Sequence, residues 1–62
     1  MTAERLLLRP EEAADVLGIS RARLYQLLAT GDIASVTIGR SRRVPVAVLQ
    51  EYVNRRLAEA GR

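Results

Sequence analysis

Apolar residues recur at helical spacing in two adjacent runs, residues 10–17 (PEEAADVL) and 20–30 (SRARLYQLLAT), with only Gly18 and Ile19 between them. In the first run Ala13, Val16 and Leu17 follow i, i+3, i+4 and so share a helix face. Pro10 suits the first helical position, where its missing N–H would have no partner anyway, and Glu11 and Glu12 sit at the positive end of the helix dipole. Arg9 is a poor cap compared with Ser or Thr. Gly18 supplies the left-handed residue that ends the helix. In the second run Ser20 is a good N-cap, Leu24, Leu27 and Leu28 form the buried stripe, and Gly31 closes the helix. So short a link forces a sharp angle between the helices, as in a helix-turn-helix. Ala13 and Ala14 are small where the two helices press together, and Ile19, Leu24 and Leu27 take the buried positions.

The period then changes from 3.6 to 2. Residues 34–38 (ASVTI) read as a strand by alternation and β-branched content, residues 39–42 as a turn, and residues 43–44 as a short return strand. A two-stranded hairpin is barely stable alone, so the hairpin over residues 34–44 must lie against the helices. Pro45 opens a third helix running to about residue 58, and Val48, Leu49, Tyr52, Val53 and Leu57 share the face that should cover the core. Leu6, Leu7 and Leu8 form a short extended segment, either a strand or a simple lead-in. Residues 59–62 should fray. The chain shows no repeat, linker or low-complexity stretch. It is expected to form one domain over residues 1–62, mainly α with a small β-hairpin: a winged helix-turn-helix of three helices plus a wing.

Composition narrows the chemistry. A 62-residue chain buries only about 60% of the surface its unfolded form exposes, so its stability is expected to be marginal. There is no cysteine and no histidine, which removes disulfides, thiolate or imidazole metal sites and the usual general base. No cofactor or metal is expected, and no enzymatic activity. The longest apolar run, Leu6 to Leu8, is far short of the ~20 residues of a membrane span. The N-terminus lacks a signal-peptide pattern, so a cytoplasmic location is expected.

The net charge is +3, with all ten cations arginine. It is unevenly spread: −2 over residues 1–19, +4 over residues 20–43 and +1 over residues 44–62. A local basic patch is the electrostatic footprint of a nucleic-acid binder. On the second helix the outward positions carry Ser20, Arg21, Ala22, Tyr25, Gln26 and Ala29, with Arg23 beside them. Arginine can bridge guanine O6 and N7, and glutamine can bridge adenine N6 and N7. Ser20 can bind a phosphate through its hydroxyl or through the N–H groups at the helix start. Taken alone, this run also reads as an ordinary αα-hairpin with a solvated polar face. The hairpin tip shifts the balance, because Arg40, Ser41, Arg42 and Arg43 follow Gly39 at the place of a wing, which can track phosphates or enter a narrow minor groove. Arg43 either faces the duplex or pairs with an acidic residue of the body. Glu11, Glu12 and Asp15 read as a solvated first turn. Arg55 and Arg56 read as solvated helix surface, as further phosphate contacts, or as i, i+4 partners of Glu51 and Glu59. Tyr52 reads as core.

The blocks EEAADVLGISRARLYQLLATGDI, VTIGRSRRVP and AVLQEYV together resemble the small excisionase-type helix-turn-helix proteins of the MerR-like winged-helix superfamily, over about residues 6–57. The resemblance implies that Ser20, Arg21, Arg23, Tyr25 and Gln26 lie on or beside a recognition helix and that Arg40, Arg42 and Arg43 lie on the wing. It also implies cooperative binding of several copies, DNA bending and an integrase as partner. Two positions depart from the family pattern. Arg9 stands where Thr or Ser is common, and Val46 stands where a polar residue usually follows the proline, as a self-association contact or as core.

The expected function is sequence-preferring, non-catalytic binding of double-stranded DNA, with further copies of the chain as neighbours. Within that reading, an excisionase that arranges attachment-site DNA for an integrase competes with a small transcription regulator acting at promoter repeats. A third reading, an antitoxin-like or adaptor module whose arginines meet an acidic partner, needs no DNA.

Overall fold

The computed structural model describes residues 5–61. Glu4 and Arg62, which entered the charge distribution, lie outside that range, and residues 59–60, expected to fray, continue the last helix. The order of elements is β1 (Leu7–Leu8), α1 (Pro10–Leu17), α2 (Arg21–Thr30), β2 (Val36–Ile38), β3 (Ser41–Pro45) and α3 (Val46–Ala60). Three helices and a small antiparallel sheet make a mainly α winged helix-turn-helix, as the patterning implies.

Helix α1 begins without a side-chain acceptor from Arg9. The opposite half of a capping box compensates: the Arg9 N–H donates to Glu12 Oε1 at 3.0 Å, and Arg5 forms an ion pair with the same carboxylate. At the other end Gly18 takes φ 71°, and its N–H and that of Ile19 donate to Asp15 O and Ala14 O. These two bonds close the carbonyls left open at a helix end and swing the chain sharply into α2. Ser20 Oγ then accepts from the Arg23 N–H at 3.1 Å, satisfying one of the open donors of the next helix.

The core is built from Leu8, Ala13, Ala14, Leu24, Leu28, Ile33, Val44 and Leu49, with Leu17, Ile19, Leu27, Val46, Val48 and Tyr52 packed around it. Val46 is therefore half-buried against the core rather than an exposed spot. In α1 the buried face differs from the expected stripe. Pro10, Ala13 and Ala14 are buried and Val16 is 66% exposed, because α2 crosses close over the small alanine side chains and leaves Val16 on the flank.

The hairpin is also rearranged. Residues 39–42 do not all form the turn. Gly39 and Arg40 alone make it, with Gly39 at φ 63°, and β3 starts at Ser41. Val36 pairs with Arg43, Thr37 with Arg42 and Ile38 with Ser41. The lead-in leucines resolve into a strand: Leu7 pairs with Pro45 and Leu8 with Val44, giving a three-stranded sheet in the order β1-β3-β2. A third strand supplies what a two-stranded hairpin lacks. Pro45 closes β3 and caps α3 instead of forming its first turn.

Helix α3 packs on β3 and α1, and α1 packs on α2. Val53 and Leu57 were expected to cover the core, yet both are exposed, Leu57 at 63%. Length explains this. The eight residues of α1 span about 12 Å and the fifteen of α3 about 22 Å, so the last turns of α3 outrun their neighbours.

Candidate nucleic-acid interface

Leu24 and Leu28 fix the inward side of α2. At 100° per residue, Ala22, Gln26 and Ala29 lie opposite them, with Arg21 and Tyr25 on one flank and Arg23 on the other. All six are exposed. The helix thus presents a small-residue ridge interrupted by one long amide, with cations on both sides. Arg23 Nη1 donates to Gln26 Oε1 at 3.4 Å, a long contact that spans the ridge from one flank. Ser20 is spent on its own helix through Arg23, but its position leaves the first turn open to solvent.

The wing divides its arginines by strand geometry. Successive side chains on a strand point to opposite faces, and cross-strand partners share a face. Arg42 and Thr37 therefore lie on the side of buried Val44. Arg43, Ser41, Val36 and Ile38 lie on the outer side, and Arg40 sits at the tip. Arg42 Nε donates to Ser35 Oγ at 3.0 Å, which braces the strand against the segment entering β2. Arg43 is half-buried and its Nη1 donates to the Arg42 carbonyl at 2.9 Å. The expected alternative of a salt bridge from Arg43 to the body does not occur among the described residues. From Ile33 to Gln50 the chain has no acidic residue at all.

The two clusters do not touch through a packed interface of their own. Helix α2 is braced by α1, and the wing is carried by β3, which packs on α1 and α3. A residue missed as structural holds the connection between them. The sequence reads Arg55 as solvated surface, as a phosphate contact or as an i, i+4 partner, whereas its Nη2 donates to the Asp32 carbonyl at 2.7 Å and its guanidinium lies 5.8 Å from the Tyr52 ring centroid. It pins the chain where it leaves α2. Only a cation–π spacing of three residues between Tyr52 and Arg55 hinted at this in the sequence. Arg56 pairs with Glu59 at 3.0 Å, at i, i+3 rather than i, i+4.

Glu12 lies away from both clusters. The Arg9 N–H, with the nearby charges of Arg5 and Arg9, holds the Glu12 carboxyl below its ordinary value against a smaller desolvation cost. Among the described residues no cluster of His, Cys, Asp and Glu could hold a metal ion, and no helix is long and apolar enough to cross a membrane.

Two helices hinged at a left-handed glycine, an exposed basic second helix and an arginine-bearing hairpin define the helix-turn-helix class of DNA-binding proteins. The chain belongs to the helix-turn-helix domain family, whose model matches residues 7–57. It is 47% identical over 55 residues to a protein of Saccharopolyspora erythraea named "Probable excisionase", covering 89% of this chain and 56% of that protein. It is 44% identical over 52 residues to "Putative antitoxin VapB50" of Mycobacterium tuberculosis, covering 84% of this chain and 40% of that protein. The chain thus spans about half the length of the curated relatives it matches. No solved structure matches it.

Proposed function

We propose that the chain binds a DNA duplex without catalysis, with α2 in the major groove and the wing on the flanking backbone or minor groove. Arg21, Tyr25 and Gln26 are the reading edge, supported by Ala22 and Arg23. Ser20 offers its helix start to a phosphate, and Arg40, Ser41, Arg42 and Arg43 hold the duplex from the wing. The observation that carries this reading is the exposed, basic outer side of α2, held out by a capped and glycine-hinged helix pair. A helix so placed meets base edges with its N-terminal residues.

The likeness to the excisionase supports a role in mobile-element recombination. In that role several copies bind side by side, bend attachment-site DNA and assist an integrase. A single module of this kind buries only ~600–1,000 Å², so neighbours are needed to hold a bend that costs of order 1–6 kcal/mol. The setting is the cytoplasm. The likeness to a protein named as an antitoxin favours a second reading, an antitoxin-like module whose arginines meet an acidic partner.

Gel-shift titration against salt tests the core claim, with affinity expected to fall steeply as salt rises because phosphate contacts release counterions. Arg21→Ala should relax sequence preference, whereas Arg42→Ala should weaken all duplexes alike and reduce the salt slope by about one. A binding constant that ignores salt would sink the phosphate-contact reading.

A further inference from the structure

The outer face of the wing is apolar where solvent should favour polar side chains. Val36 is 42% exposed and Ile38 is 59% exposed. They are two residues apart on β2 and so lie on the same face, next to Ser41 and Arg43 of β3. Among the described residues, the element that packs substantially on β2 is β3. Ile38 stands immediately before the two-residue tip, Gly39 and Arg40.

Charge decides what could cover this face. Arg40 lies at the tip, Arg43 on the same face as Ile38 and Arg42 on the opposite face, and no acidic residue occurs from Ile33 to Gln50. A second copy would bring another wing as basic as this one, while its exposed Val16 and Leu57 would leave Arg40, Arg42 and Arg43 without the row of negative charge that a phosphate strand supplies. A groove walled by two phosphate strands and floored by apolar sugar and base edges matches the whole tip. We propose that the wing tip enters the minor groove with Ile38 packed into it, beside Arg40, while Arg42 and Arg43 reach the phosphates on its two sides. This rests on the DNA-binding reading above and assigns the groove contact to an aliphatic side chain. Apolar residues inserted between minor-groove walls widen the groove and bend the duplex away from them. The contact also discriminates. Guanine alone projects an N2 amino group into the minor groove, and Ile38 has no acceptor for it. A G·C pair under the tip should therefore be disfavoured.

The probe is a duplex recovered by gel-shift selection from a random-core pool with the wild-type chain. Ile38→Ser should lower affinity about tenfold, the scale of losing part of one buried aliphatic side chain. Its salt slope should stay that of wild type because no charge has changed, and Ile38→Val should recover most of the loss. In a second arm the flanking pairs are made G·C or inosine·C, which differ in the minor groove only by the N2 amino group. Wild type should prefer the inosine duplex several-fold, and Ile38→Ser should lose that preference. If the wild type selects no duplex, the DNA-binding reading fails and takes this one with it. If it selects one but Ile38→Ser binds as tightly and inosine makes no difference, the groove contact is wrong and the DNA-binding reading stands. If sedimentation shows that the free chain self-associates and Ile38→Ser does not, the face is a contact between copies and the proposal is overturned.

Discussion

The helix pair and the wing solve opposite problems. In the pair, both helix junctions are closed by specific bonds, through Gly18 and Ile19 at the end of α1 and through Ser20 at the start of α2. Leu24 is fully buried beneath the exposed side. In the wing, all three residues of β2 are exposed, and the strand is held chiefly by β3. The backbone of α2 is set by its caps and by the buried Leu24 and Leu28 before any ligand arrives. The wing has few packed contacts and can adjust to the width of a groove. Elements with little buried area are the ones that open and move at low cost. Under the proposed DNA binding, reading of major-groove base edges would fall to α2, and fitting to groove width and to the minor-groove amino group would fall to the wing.

Substitutions can break this contrast. The largest effect is expected at the base of the helix pair. Leu24→Ala removes a fully buried side chain and should cost about 2–5 kcal/mol, a large share of the few kcal/mol that hold a domain of this size. Urea denaturation followed by far-UV circular dichroism should show it largely unfolded. A Val36→Ala chain should melt with wild type, and equal losses at both sites would erase the distinction. Next comes the hinge. An added Cβ at Gly18 meets nothing within 4 Å, so Gly18→Ala is strained only by its left-handed backbone, at about 1–2 kcal/mol. A thermal melt of the variant that matched wild type would show that the hinge relaxes freely.

A smaller loss is expected at the cap. Ser20→Ala leaves the Arg23 N–H without its acceptor and should cost about 1 kcal/mol, with Ser20→Gly closer to wild type. The same variant should weaken binding to every duplex alike if the first turn of α2 meets a phosphate. The smallest effect concerns Glu12. Its carboxyl titrates below the ordinary 4.5, so its ionised form is favoured by folding. That contribution is complete above the ordinary value and disappears as pH falls through the lowered one. Denaturation midpoints compared above and below this window should fall more with acid in wild type than in Glu12→Gln. Identical pH profiles would mean that the Arg9 and Arg5 contacts add nothing to stability.

Much of the helix pair was legible because its signals are local. Pro10, Gly18, Ser20 and Gly31 act on their own backbone groups, and the spacing of Leu24 and Leu28 points inward whatever else the chain does. The outward row of α2, including Arg21, Tyr25 and Gln26, follows from that spacing alone. The wing was legible as a basic hairpin but not in its register. Residues 39–42 contain several workable turns, and the choice of Gly39 and Arg40 decides which arginines share a face.

Sequence alone determined the helix-turn-helix, the concentration of arginine at the hairpin and the absence of cysteine and histidine chemistry, since each depends on neighbouring residues or on composition. Tertiary structure decided what long-range pairing and relative length control. Leu8 joins the sheet because Val44 is opposite it, Arg55 becomes a strut because Asp32 ends up beside α3, and Val53 and Leu57 stay in solvent because α1 is too short to meet them. It also turned Arg42 and Arg43 to opposite sides of the wing and left Ile38 bare at its tip. One-residue differences in strand register reverse such assignments, and only the packed sheet fixes them.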